Sequence, residues 1–157
     1  MLDLVFKNST SDKKYNSKFF EKILVGGLKE LKLSNKNIGI SVSLVGESEI
    51  KQLNNKYRHK NKVTDVLSFP MSEKLQVTSY KLQVLDLGDI FICFPFAKKQ
   101  AKGENVDIET KLAQLTVHGF LHLLGYDHER SEKDEIEMFK LENKILKKCQ
   151  DKGQFAG

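Results

Sequence analysis

The sequence predicts an α/β (α+β) protein: one domain over residues 1–157, with a small mixed sheet of about four strands packed by helices. Three observations carry this. Segments that alternate every two residues, or run continuously β-branched, are interleaved with segments of helical period. No repeat, low-complexity tract or linker divides the chain, and its two prolines, Pro70 and Pro95, each close an apolar run. A chain of 157 residues suits one core that buries roughly 70% of the unfolded surface.

The elements follow in order. LDLVF places Leu2, Leu4 and Phe6 on one face of a strand. Asn16 or Ser17 caps a helix over about residues 17 to 33, with Phe20, Ile23, Leu24, Leu28 and Leu31 on its apolar face; Gly26 and Gly27 weaken it enough for a break. NIGISVSLVG alternates, which buries Ile38, Ile40, Val42 and Leu44 and leaves Gly39, Ser41 and Ser43 on an open face. A short helix over about 47 to 57 precedes TDVLSFP, an extended segment stopped by Pro70, and residues 72 to 86 form a hairpin or a loop. LGDIFICF, residues 87 to 94, is apolar enough for a central strand buried on both faces. A helix over about 96 to 102 follows, then one over about 107 to 124 that Gly125 stops. Ser131 caps the last helix, with Asp134 at its third position and Met138, Leu141, Ile145 and Cys149 as its buried stripe.

The chain carries a formal charge of +5, which suits a polyanion partner, although a lysine-rich composition gives the same figure by itself. The basic residues cluster at 13–22, at 56–62 and at 98–102. No apolar run is long enough to span a bilayer, and MLDLVFKNSTSDKK lacks the features of a secretory signal, so the expectation is a cytoplasmic protein without a membrane partner. The two cysteines, Cys93 and Cys149, have no CxxC spacing and read as reduced thiols.

The chemistry concentrates in HGFLHLLGYDH, residues 118 to 128. His118 and His122 are four apart, so on a helix they stand about 40° apart in rotation and about 6 Å in rise, and both imidazoles project from one face. Gly125 lets the chain turn out of the helix, and His128 can return to the same ion. HxxxH pairs also occur on ordinary helices, but three histidines with a glycine at the turn form a narrower pattern. Three neutral nitrogens suit one Zn²⁺ and leave a fourth position for water, the arrangement of a catalytic site. Another imidazole-binding divalent metal fits the same donors. Asp127 reads as a fourth ligand, a proton acceptor, a hydrogen-bonding support for a ligand or a turn-stabilising residue. The spacing matches that of metzincin peptidases, whose general base is a glutamate where this chain has Gly119. That glycine costs a helix about 1 kcal/mol, offset either by close packing or by room for substrate.

The second informative stretch, LNNKYRHKNKVTDVLSFP over residues 53 to 70, offers Arg58 as a bidentate phosphate clamp. His59, Asp65 and Ser68 lie beside it in sequence: His59 as a surface or phosphate-contacting histidine rather than a proton shuttle, Asp65 and Ser68 as residues that order the cleft edge. Asp89 reads as a metal-site support or a turn aspartate.

LNNKYRHKNKVTDVLSFP, LGDIFIC and HGFLHLLGYDH together resemble the signature blocks of the YbeY family of bacterial endoribonucleases, in the family's order. Val63 and Met71 depart from its common pattern at positions that touch no proposed ligand. The resemblance implies a zincin-like core and zinc bound by His118, His122 and His128. It also implies a functional arginine at Arg58 and cleavage of single-stranded RNA. The implied role is maturation of the 3′ end of small-subunit (16S) ribosomal RNA and ribosome quality control. Two other classes stay open on the residues alone: a metzincin-like peptidase, and an RNA-binding assembly factor of the small ribosomal subunit whose metal is structural.

Overall fold

The computed structural model describes residues 1–71, 75–77 and 83–151. Strands β1 (Leu2–Asn8), β2 (Ile38–Val45), β3 (Val66–Pro70), β4 (Leu75–Val77) and β5 (Gln83–Cys93) form one mixed sheet. Its path is β1-β2-β5-β3, with β4 also on β5. β1, β2 and β5 run parallel, whereas β3 and β4 are antiparallel to β5. Of the hairpin or loop expected over 72 to 86, the described part is the antiparallel pairing of β4 with Gln83–Leu85; residues 72–74 and 78–82 lie outside the described residues. Pro70 belongs to β3, an outer strand, where a missing N–H costs little.

Helices α1 (Ser17–Glu30), α2 (Glu47–Arg58), α3 (Phe94–Glu104), α4 (Ile108–Leu123) and α5 (Glu132–Asp151) pack around the sheet. The Asn16 side chain caps α1 by accepting from the Lys18 N–H, and Ser131 Oγ accepts from the Asp134 N–H at the start of α5. The main core lies between the sheet and α1, α4 and α5. A smaller cluster of Val45, Ile50, Leu67 and Cys93 seats α2. Cys93 and Cys149 are buried in different clusters and form no disulfide with each other.

Three expectations are corrected. α1 runs unbroken through Gly26 and Gly27, because their bare faces seat other groups: a Cβ on Gly27 would fall 2.8 Å from the Phe120 ring. β2 is buried on both faces, not one. It is an interior strand, and its glycine and serines are short enough for neighbouring side chains to cover, with Val84 and Asp86 over Gly39. Finally, Phe94 and Pro95 belong to α3, since proline is at home in a helix's first turn.

The central strand carries a bulge. Gly39 faces Asp86 and Ile40 faces Gly88, so Leu87 is the extra residue. Gly88 has φ +123°, and a Cβ there would lie 2.1 Å from the Phe69 carbonyl oxygen. Gly88→Ala is therefore expected to destabilise the fold by at least about 3 kcal/mol, combining backbone strain with a clash against main chain. Urea unfolding monitored by circular dichroism measures it; an unchanged midpoint would refute this account of the bulge.

Candidate functional site

α4 is buried almost all round, with ten of its residues in the core from Lys111 to Leu123. Its end is a Schellman turn. The Gly125 N–H donates to the His122 carbonyl and the Tyr126 N–H to the Leu121 carbonyl, both at 3.0 Å, and Gly125 adopts φ +99°. This turn reverses the chain and returns His128 to the helix face that carries His118 and His122. The ring centroids are 4.5 Å apart for His118 and His122, 5.3 Å for His118 and His128, and 5.2 Å for His122 and His128.

One nitrogen from each ring lies within 4.8 Å of the others, and these three histidines can hold a metal ion. His118 Nε2 and His122 Nε2 face each other at 3.0 Å. Two nitrogens on one zinc at about 2.0–2.1 Å each stand roughly 3.3 Å apart, so the pair is nearly at coordinating separation. His128 Nδ1 is buried with no hydrogen-bond partner among the described residues. Burial, then the neighbouring His118 and His128, holds the His122 imidazole below its ordinary pKa. The ring is thus neutral and its lone pair is available to a cation. The donor set fits a borderline-soft divalent ion of the zinc type.

Glu142 on α5 completes the arrangement. Its Oε1 lies 2.6 Å from His118 Nδ1, so the ring donates its Nδ1 proton to the carboxylate and presents a bare Nε2 to the site. Sequence reading passed over Glu142, although a signal existed: it stands between Met138 and Ile145 on the buried stripe of α5, an unusual place for a carboxylate. Glu142→Gln is expected to weaken metal binding about 10- to 100-fold while leaving the helix content unchanged. Competition with a chromogenic chelator measures this, and an unchanged affinity would remove Glu142 from the site.

Gly119 now has a definite role. It sits against β5, where a Cβ would fall 2.9 Å from Ile90 Cγ2. The glycine serves close packing of α4 on the sheet, and a glutamate there would meet the core.

The histidines form one wall of a cleft of about 700 Å³. The other wall comes from the end of α2, the turn after it and β3, with Arg58, Lys60, Lys62 and Ser68 among its residues. Arg58 Nη2 donates to the Ser68 carbonyl at 2.6 Å, and its guanidinium lies 5.4 Å from the Phe69 ring centre. The long side chain is thereby aimed before any ligand arrives. Asn54, another residue not singled out from sequence, fixes the basic turn: its Nδ2 donates to the Lys62 carbonyl, and its own carbonyl accepts from the Lys60 N–H.

The remaining candidates separate. Asp65 lines the cleft and accepts from the Val66 N–H and from Gln100 Nε2, so it orders that edge. Asp127 lines it too, but as a turn residue that accepts from the Glu129 N–H. His59 is an exposed left-handed cap of α2 and is not among the cleft residues, which does not favour a shuttle. Asp89 pairs in mid-strand with Ser41 and Phe69, away from the cleft.

The fold and site define a class: an α+β protein in which three histidines that can hold a metal ion face a basic cleft wall. Comparison with known proteins narrows the class to a family. A family model described as Endoribonuclease YbeY matches residues 5–150. The chain is 39% identical to the Endoribonuclease YbeY of Persephonella marina, covering 91% of this chain and 90% of that one. It is 40% identical to that of Staphylococcus carnosus, covering 93% and 95%. The solution structure of TM1509 from Thermotoga maritima superposes with a TM-score of 0.66 at 28% identity, covering 98% of this chain and 93% of that one. This chain belongs to the YbeY endoribonuclease family.

Proposed function

We propose that this protein is a metal-dependent, single-strand-specific endoribonuclease that uses zinc at His118, His122 and His128 and a phosphate clamp at Arg58. Its substrate in this reading is small-subunit (16S) ribosomal RNA near the 3′ end, and its setting is maturation and quality control of the small ribosomal subunit in the cytoplasm. The observation that carries the reading is the placement of a preset arginine across one cleft from three convergent imidazoles. Family membership supports RNA as the substrate class. Among the described residues no helix is long and apolar enough to cross a membrane.

The chemistry follows from the residues. When bound, the ion supplies Lewis acidity at a phosphoryl oxygen and lowers the pKa of a coordinated water. Glu142 keeps His118 in the tautomer that leaves Nε2 free to coordinate. Arg58 offers parallel N–H donors to the phosphoryl oxygens, where negative charge grows during cleavage. Lys60 and Lys62 hold neighbouring phosphates and make binding salt-dependent. Gly119 provides no general base, which disfavours peptide hydrolysis of the metzincin kind.

The test offers the wild-type protein single-stranded RNA, the same RNA as a duplex, its DNA counterpart and an unstructured protein. The expected result is cleavage of single-stranded RNA alone, lost with a chelator and restored by zinc. Cleavage of the protein with RNA intact would overturn the reading in favour of a peptidase. Tight RNA binding without cleavage would overturn it in favour of an assembly factor with a structural metal.

A further inference from the structure

Beyond His118 lies a second cavity of about 310 Å³, lined by Asp65, Val66, Gln114, Phe139, Glu142 and Asn143 among others. It shares Asp65, Val66 and His118 with the main cleft, so the two cavities adjoin at that wall and a nucleotide next to one held over the histidines is within reach of it. Gln114 precedes His118 by one turn on the same face of α4. Phe139, Glu142, Asn143 and Leu146 share one face of α5 by their spacing. The Glu142–His118 contact therefore sets where Phe139 stands relative to the metal site.

Phe139 is 63% exposed, more than any other large apolar side chain described on α5. A single exposed phenylalanine is ordinary on a protein surface. This one lines a cavity that adjoins the basic cleft, together with two side-chain amides, Gln114 and Asn143. The cavity's charged residues, Asp65 and Glu142, are anionic and repel a sugar–phosphate backbone, yet they tolerate a neutral heterocycle. Its size is at the small end of the roughly 300–1,000 Å³ range of ligand pockets, which suits one base.

We propose that this cavity is a nucleobase subsite. Phe139 stacks on the base of a nucleotide next to the scissile phosphate, and the amides of Gln114 and Asn143 meet the base's edge. Each amide both donates and accepts, so it can address bases with either pattern. The proposal rests on the endoribonuclease reading for the placement of the strand.

The chain contains no tryptophan, so Phe139→Trp introduces a single emitter that keeps a stacking ring. This variant is titrated with a short single-stranded RNA, 2′-O-methylated throughout and verified by gel to stay intact during the titration, and with matched oligonucleotides abasic at one position each. The expected result is quenching by the full RNA and loss of quenching at one abasic position. Phe139→Ala should bind the full RNA about 5- to 100-fold more weakly, and the abasic change at that position should then cost it nothing more. Its metal content and thermal midpoint should match wild type, because the side chain is exposed. Unquenched emission while the RNA is bound would overturn the subsite. So would wild-type affinity in Phe139→Ala, including the case where that variant instead loses a protein partner. The two readings fail separately. Position-specific quenching in a protein that cuts no RNA supports the subsite and sinks the endoribonuclease. Normal cutting and binding by Phe139→Ala sinks the subsite alone.

Discussion

His122→Ala is expected to lose metal and RNA cleavage together. Wild type should carry one metal ion per chain and the variant much less. Three imidazoles converge on one point, and two cannot hold a borderline-soft divalent ion at comparable affinity. Cleavage should fall at least about a thousandfold, since the Lewis acid supplies several kcal/mol of transition-state stabilisation and each 1.36 kcal/mol is tenfold in rate. His122 is a cleaner target than His118, whose removal would also strand the Glu142 carboxylate without its ring partner. Alanine favours the helix, so the fold should persist, as circular dichroism can verify. Elemental analysis and a cleavage assay on the same preparation decide the matter. Full cleavage by His122→Ala in the presence of chelator would end the metal mechanism.

Arg58→Ala should separate what His122→Ala joins. Arg58 is not among the three converging ligands, so metal content should stay at the wild-type value. Cleavage should drop about 10²–10³-fold, the usual effect of removing one donor aimed at developing charge. Arg58→Lys should recover only part of this. A point charge lacks the planar fork that donates to the Ser68 carbonyl and lies near Phe69 while still facing the cleft. Wild-type cleavage by Arg58→Ala would remove Arg58 from the chemistry. Joint loss of metal and activity would mean that it acts through the fold.

Legibility from sequence followed the range of each interaction. The three histidines were readable because their geometry is local: one helix turn, one glycine and one short return. Most elements were readable too, since their periods belong to single segments. What escaped depends on pairing between segments. The bulge at Leu87 and the need for glycine at Gly88 arise only when β5 meets both β2 and the Phe69 carbonyl. The double-sided burial of β2 comes from having neighbours on both edges. Glu142 is invisible from the histidine segment because α5 must dock first. Gly119 leaves close packing and room for substrate both open in sequence, and Ile90 decides for packing. Arg58 took its meaning from the resemblance; the structure adds the contacts that orient it.

The His118–Glu142 contact also orders events in time. During synthesis α5 leaves the ribosome after all three histidines, so the ring partner of His118 arrives last. A nascent chain that stops short of Glu142 has every ligand but no fixed tautomer at the first. Such a chain should take up a divalent ion more weakly than the finished protein, so capture of the ion is expected to serve as a late checkpoint on the assembly of the last helix.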